Sequence, residues 1–113
     1  MEKLGIILRK PPGDMCVGEA ARHAMGGAAE DFKVTLFLVD SGVLAAQKQK
    51  QKGGEGSENP LEDCLGMEVR VLADSASMSE MGLAPEGIIP GVTPVKPEEL
   101  AALVKDCDTV MIF

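Results

Sequence analysis

A chain of 113 residues, 45% apolar and 26% charged, has the material for one domain with one core, which excludes intrinsic disorder and leaves no length for a second domain. Eighteen acids against eleven bases give a net charge of −7, which argues against nucleic acid or an anionic membrane as the main partner, since both are held by clustered positive charge. With three Phe and no Trp or Tyr, there is little from which to build a stacking platform for bases or sugars.

In chain order, Leu4-Gly5-Ile6-Ile7-Leu8 is a continuous apolar run closed by Arg9-Lys10-Pro11-Pro12-Gly13, the pattern of a strand buried on both faces. Asp14 then caps a helix whose inner face carries Val17, Ala20, Ala21, Ala24 and Met25, with Gly26-Gly27 as its stop or weak point and fraying as far as Glu30. Val34 to Val39 reads as a second strand, followed by Asp40-Ser41-Gly42 as turn and cap, and a helix starts over Val43 to Gln47. The Lys/Gln and Gly/Ser segment at about 48–59 lacks an apolar face and reads as a flexible surface loop within a single domain spanning 1–113. Pro60 to Leu65 forms a short helix closed by Gly66, and Val69 to Ala73 a third strand. Asp74-Ser75 opens a helix through Met78 and Met81 that Gly82 ends, and Ile88 to Val95 is extended, its prolines excluding it from a central ladder unless it is very short or at an edge. Pro97-Glu98-Glu99 starts a helix with Leu100, Leu103 and Val104 on its buried stripe, and Thr109 to Phe113 closes the chain as a strand.

Strands alternating with helices predict an α/β fold: a small doubly wound, mostly parallel five-stranded sheet with helices on both faces. Ligands in such sheets sit beyond the carboxyl ends of the strands, which directs attention to the loops at Arg9–Asp14, Asp40–Gly42 and Asp74–Ser77. Asp14, Asp40, Ser41, Asp74, Ser75 and Ser77 are therefore the candidate pocket residues. Asp40 and Asp74 are placed either to face one another as a carboxylate pair or to cap the helices they introduce.

Cys16, Cys64 and Cys107 are odd in number and widely spaced, which fits neither a disulfide framework nor paired zinc ligands, and points to a reducing cytoplasm. No apolar run suggests a signal peptide or a membrane span, so a soluble cytoplasmic protein is expected. Cys16, near a helix start whose dipole stabilises a thiolate, is the best-placed nucleophile, the alternative being a small apolar residue packed under the loop. His23 lies two turns from Cys16, too far to share a metal, and is expected to pair with Glu19 at the surface. Cys64 and Cys107 precede strands at the opposite end of the sheet and read as buried packing. Gly13 and Gly18 have the spacing of a phosphate loop, but Glu19-Ala20 stand where Lys and Ser or Thr belong, and no GxGxxG follows a strand. Neither a cofactor nor a metal is expected. The apolar stretch from Met78 to Ile89 is either core or a subunit interface.

The first strand with its glycine-containing loop and Ala-rich helix, Val34-Thr-Leu-Phe-Leu-Val-Asp-Ser-Gly-Val43, Gly66-Met-Glu-Val-Arg-Val-Leu72, Met81-Gly-Leu83 and Cys107-Asp-Thr-Val-Met-Ile-Phe113 together resemble the DsrE/DsrF-like family, which includes the Tus sulfur-relay subunits. The resemblance implies a flavodoxin-like subunit of homo-oligomers (trimer or hexamer) or of hetero-oligomers with related DsrE-like subunits. It further implies a sulfur-carrier protein as a partner and, in some members, sulfur carried as a cysteine persulfide in the loop after the third strand. Counting back from Met81-Gly82-Leu83, the positions at which members place that cysteine fall on Asp74 and Ser77. A carboxylate or an unactivated hydroxyl cannot hold transferable sulfur. The resemblance thus implies a non-carrying scaffold, regulatory or small-ligand-binding subunit. The alternatives are a persulfide carrier, of sulfurtransferase type, that uses a displaced Cys16, and an enzyme using the two aspartates.

Overall fold

The computed structural model describes residues 2–48 and 59–113, and most of the expected flexible loop lies outside the described residues. The described residues form one sheet of five strands, β1 (Lys3–Leu8), β2 (Lys33–Leu38), β3 (Arg70–Asp74), β4 (Thr93–Val95) and β5 (Thr109–Ile112), in the order β4-β3-β2-β1-β5. Every neighbouring pair is parallel. The α/β class and the parallel sheet with helices on both faces agree with the sequence. The strand order departs from the 2-1-3-4-5 of flavodoxin itself: the first four strands step across the sheet in succession, and only β5 returns to the far side of β1.

That order decides where the helices lie, because right-handed crossovers put connections running in opposite directions on opposite faces. Helices α1 (Met15–Ala29), α2 (Pro60–Gly66) and α3 (Ser75–Glu80) share one face, burying Val17, Ala20, Ala24, Leu61 and Met78 against Ile6, Leu8, Leu36, Leu38 and Val71. Only α4 (Pro97–Lys105) covers the other, where Leu100 joins Phe37, Leu72 and Val95. The continuous apolar character of Leu4–Leu8 and Val34–Val39 follows, since these strands are covered on both sides.

Local departures have local causes. Gly26-Gly27 does not stop α1, which runs to Ala29. A Cβ on Gly27 would lie 2.8 Å from Leu4 and 3.1 Å from Val34, so the glycine lets the helix run close over the sheet. The helices end instead in left-handed residues, Asp31 (φ 67°) after α1 and Glu68 (φ 66°) after α2, each turning the chain into the next strand. The segment after β2 is a 3-10 helix, Asp40–Ala46, rather than an α-helix beginning at Val43. Asn59, 8% exposed, caps α2 by accepting from the Leu61 N–H and donates through Nδ2 to the Ala45 carbonyl at 2.7 Å, joining the two flanks of the undescribed segment. Met78, Leu83, Ile88 and Ile89 are buried within the chain, so the Met78–Ile89 stretch is core, with Met81 its one strongly exposed large apolar side chain. Ile89 N–H donates to Ala46, which draws this segment inward against the 3-10 helix.

Two glycines should respond oppositely to alanine. A Cβ on Gly42 would fall 2.0 Å from the Leu8 carbonyl oxygen, whereas one on Gly18 meets nothing within 4 Å. Gly42→Ala is expected to cost about 2 kcal/mol or more, and Gly18→Ala to stabilise by up to ~1 kcal/mol, both read from urea unfolding midpoints at unchanged m-value.

Candidate functional site

Three strand ends and the segments that follow them make up the carboxyl end of the sheet. After β1, Asp14 caps α1, its Oδ1 accepting from the Cys16 backbone N–H at 2.8 Å. That hydrogen bond holds the Asp14 carboxyl below its ordinary range. Cys16 itself packs half-buried against the core. The neighbouring Asp14 carboxylate, chiefly as hydrogen-bond partner and then with partial desolvation, pushes the thiol above its usual value. The carboxylate at the helix start thus acts against the dipole's preference for a thiolate.

After β2, Asp40 adopts φ +50°, a left-handed conformation that an Asp tolerates better than most residues. It caps nothing: the 3-10 helix has Val39 at its N-cap and no side-chain cap. The conformation is held by close contacts instead. Gly42 lies against the Leu8 carbonyl and donates its N–H to Val39 at 2.8 Å, and the Asp40 N–H donates to Ser77 Oγ at 2.9 Å. The Asp40 carboxylate is exposed and stands 3.9 Å from Arg9 Nε.

After β3, Asp74 caps α3 by accepting from the Ser77 N–H at 3.3 Å, and the Ser77 hydroxyl donates to the same Oδ2 at 2.7 Å. Ser77 is 2% exposed. The structure therefore joins Asp74 and Asp40 through Ser77, carboxylate to hydroxyl to backbone amide, and not as a carboxylate pair. Ser41 and Ser75, which follow the two aspartates in the chain, are half-buried. Asp74 Oδ1 is buried and has no hydrogen-bond partner among the described residues.

The remaining sequence candidates lie elsewhere. The Glu19 side chain pairs with Arg22 at 3.4 Å and not with His23. His23 Nδ1 instead meets the Glu19 carbonyl at 2.8 Å, and its ring packs on Phe113 with 5.1 Å between centroids. Cys64 is fully buried and burial pushes its thiol up to about 11. Cys107 is only half-buried, and burial, followed by the adjacent Asp106, raises it too. It lines a cleft of about 530 Å³ at the amino end of the sheet, beside Lys3, Phe32, Thr35, Met67 and Arg70. The sequence did not disclose this cleft, because its walls come from four separate segments, 3, 28–35, 67–70 and 103–107. Its size suits a small molecule, but three bases and three acids balance within it and its thiol is not activated. The carboxyl end, where α/β sheets place ligands, remains the better candidate. Among the described residues no three His, Cys, Asp or Glu side chains are grouped to hold a metal ion, and no helix is long and apolar enough to cross a membrane.

The chain is thus an all-parallel five-stranded α/β protein with a polar network at the tips of β2 and β3. The DsrE/DsrF-like family model matches residues 2–113, and the chain belongs to that family. It is 30% identical over 113 residues to an uncharacterized protein of Methanocaldococcus jannaschii, covering 96% of each chain. A second uncharacterized protein, from Methanopyrus kandleri, is 29% identical, with 96% of this chain and 90% of the relative covered. The crystal structure of the YchN protein from E. coli superposes with a TM-score of 0.85 at 27% identity over the whole of both chains. A conserved protein of unknown function from Bacteroides thetaiotaomicron shares the fold, with a TM-score of 0.73 at 18% identity over 99% of this chain and 95% of its own.

Two measurements bear on this geometry. Ser77→Ala strips the Asp40 N–H and the Asp74 carboxylate of a partner and is expected to cost about 1–3 kcal/mol in urea unfolding; a loss below ~0.5 kcal/mol, the range of an ordinary surface change, would show the network to be slack. Asp14→Asn keeps the helix cap but removes the charge beside Cys16, so the pH midpoint of Cys16 alkylation should move down. No movement would mean that Asp14 is not what raises it.

Proposed function

We propose that this chain is a non-carrying DsrE/DsrF-like subunit, a scaffold, regulatory or small-ligand-binding member of a cytoplasmic sulfur-relay assembly. One observation carries the reading: at the tip of β3, where the family resemblance places a carrier cysteine, Asp74 and Ser77 are hydrogen-bonded to each other and Ser77 is buried. A sulfur carrier needs a thiolate that attacks a sulfane sulfur and later releases it, and neither group can do so. In this reading Asp14, Asp40, Ser41, Asp74, Ser75 and Ser77 form the polar rim of a small-ligand site, with the unpartnered Asp74 Oδ1 as the acceptor that a ligand donor satisfies. The subunit works within a homo-oligomer (trimer or hexamer) or a hetero-oligomer with related subunits, and a sulfur-carrier protein docks on that assembly.

A second reading is favoured by one placement. Cys16 lies in the first turn of α1 at the same end of the sheet and would act as a displaced persulfide carrier of sulfurtransferase type. Against it, the Asp14 carboxylate beside the thiol disfavours the thiolate that such a carrier requires.

Intact-mass spectrometry after brief polysulfide treatment separates the two. The non-carrying reading expects no dithiothreitol-sensitive gain of about 32 Da per sulfur on any cysteine. A stoichiometric adduct mapped to Cys16 and lost in Cys16→Ser would replace it with the carrier reading.

A further inference from the structure

Three adjacent strands of the sheet begin with a cation. Lys3, Lys33 and Arg70 are the first residues of β1, β2 and β3, with Lys3 in register with Lys33 and Arg70 with Thr35. Alternate residues of a strand share a face. Ile7, Phe37 and Leu72 of the same strands belong to the cluster under α4, so all three cations stand on the face that α4 covers. That cluster does not extend to the starts of the strands, and there the sheet opens into the amino-end cleft of about 530 Å³. In a chain of net charge −7 such a row of positive charge is a local feature.

The charges of the cleft are sorted rather than paired. Lys3 is occupied by Asp106, with which it forms an ion pair. Lys33, Arg70, Asp31 and Glu68 line the same cleft, yet among the described residues none of these four forms an ion pair. Their positions in the fold account for this. The two cations stand on the α4 face, whereas Asp31 and Glu68 are the left-handed residues that follow α1 and α2, in the layer on the opposite face. The cleft also holds Phe32 and Met67, large apolar side chains left 39% and 41% exposed. Two unpaired cations, two unpaired acids and an uncovered apolar wall thus meet in one concavity.

We propose that this cleft is a second binding site, for a small zwitterion whose carboxylate and ammonium stand at opposite ends of an apolar body, the chemistry of a hydrophobic dipeptide. The Arg70 guanidinium, whose planar fork suits a carboxylate, takes that end with Lys33 beside it. Asp31 and Glu68 take the ammonium, and Phe32 and Met67 the apolar body. A simple anion would leave the two acids unmatched. A free α-amino acid carries both charges on one carbon, whereas the two poles come from opposite layers of the fold. The volume lies within the range of about 300–1,000 Å³ usual for small-molecule sites. The site is at the amino end of the sheet, away from Asp74 and Ser77, and uses no sulfur chemistry, so it holds or fails independently of the reading of the carboxyl end.

Titrating the isotope-labelled chain with dileucine, followed by amide chemical shifts, tests the assignment, alongside N-acetyl-dileucine, which lacks the ammonium, and dileucine amide, which lacks the carboxylate. Dileucine is expected to saturate at millimolar concentration, with the largest shifts at Phe32 to Thr35 and Met67 to Arg70. It should bind about five-fold or more tightly than either derivative, the size of one exposed ion pair. Arg70→Gln should weaken dileucine and the acetylated derivative by a similar factor and leave the amide unchanged, and Glu68→Gln the converse. Both side chains are exposed, and shifts away from the cleft report that each variant is folded. Failure to saturate, shifts confined to the carboxyl-end turns, or a derivative that binds as tightly as dileucine would overturn the proposal. So would an Arg70→Gln effect equal for all three compounds.

Discussion

The hydroxyl of Ser77 fastens the tips of two adjacent strands, giving its proton to the Asp74 carboxylate at the end of β3 and taking the amide proton of Asp40 beyond β2. One residue thereby closes the α3 cap and holds Asp40 in a left-handed conformation that costs on the order of 1 kcal/mol or more when unsupported. The neighbouring contact of Gly42 with the Leu8 carbonyl extends the constraint to the end of β1. The turns after β2 and β3 at the carboxyl end of the sheet are therefore set by part-buried polar and steric contacts.

The cysteines conform to the non-carrying reading through three different causes. Cys16 faces a carboxylate at its helix start, Cys64 is enclosed by the core, and Cys107 is partly enclosed and has Asp106 beside it. In each the leading influence favours the neutral thiol, the form that is slow to attack sulfane sulfur. At the carboxyl end the Asp74 Oδ1 atom is buried without a donor among the described residues, which is the feature the proposed ligand-binding reading uses.

Much of the fold could be read along the chain. The runs at Leu4–Leu8 and Val34–Val39, the caps at Asp14 and Asp74 and the proline start of α4 each act locally, and each holds in the structure. What escaped depends on contacts between distant residues. Gly26-Gly27 reads as a stop or weak point of the helix until Leu4 and Val34 are brought against Gly27. Met78 to Ile89 reads equally as core or as a subunit interface until Ile89 bonds to Ala46. Ser77 resembles any polar residue of a first helical turn, and nothing local reveals a bond to an amide 37 positions away. The exposure of Val110 and Ile112 was hidden for a related reason: both have the composition of core, and only the strand order places them at an edge beyond the cover of α4.

Amide hydrogen exchange at Asp40 tests most directly whether the Ser77 clamp exists in solution. The account predicts that the Asp40 N–H exchanges slowly in the native chain, with protection approaching that of the central strands, and that Ser77→Ala abolishes this protection while leaving β1 and β2 protected. Fast exchange at Asp40 in the native chain, or protection unaffected by Ser77→Ala, would contradict it, because the tips of β2 and β3 would then be free of one another and open to a different chemistry.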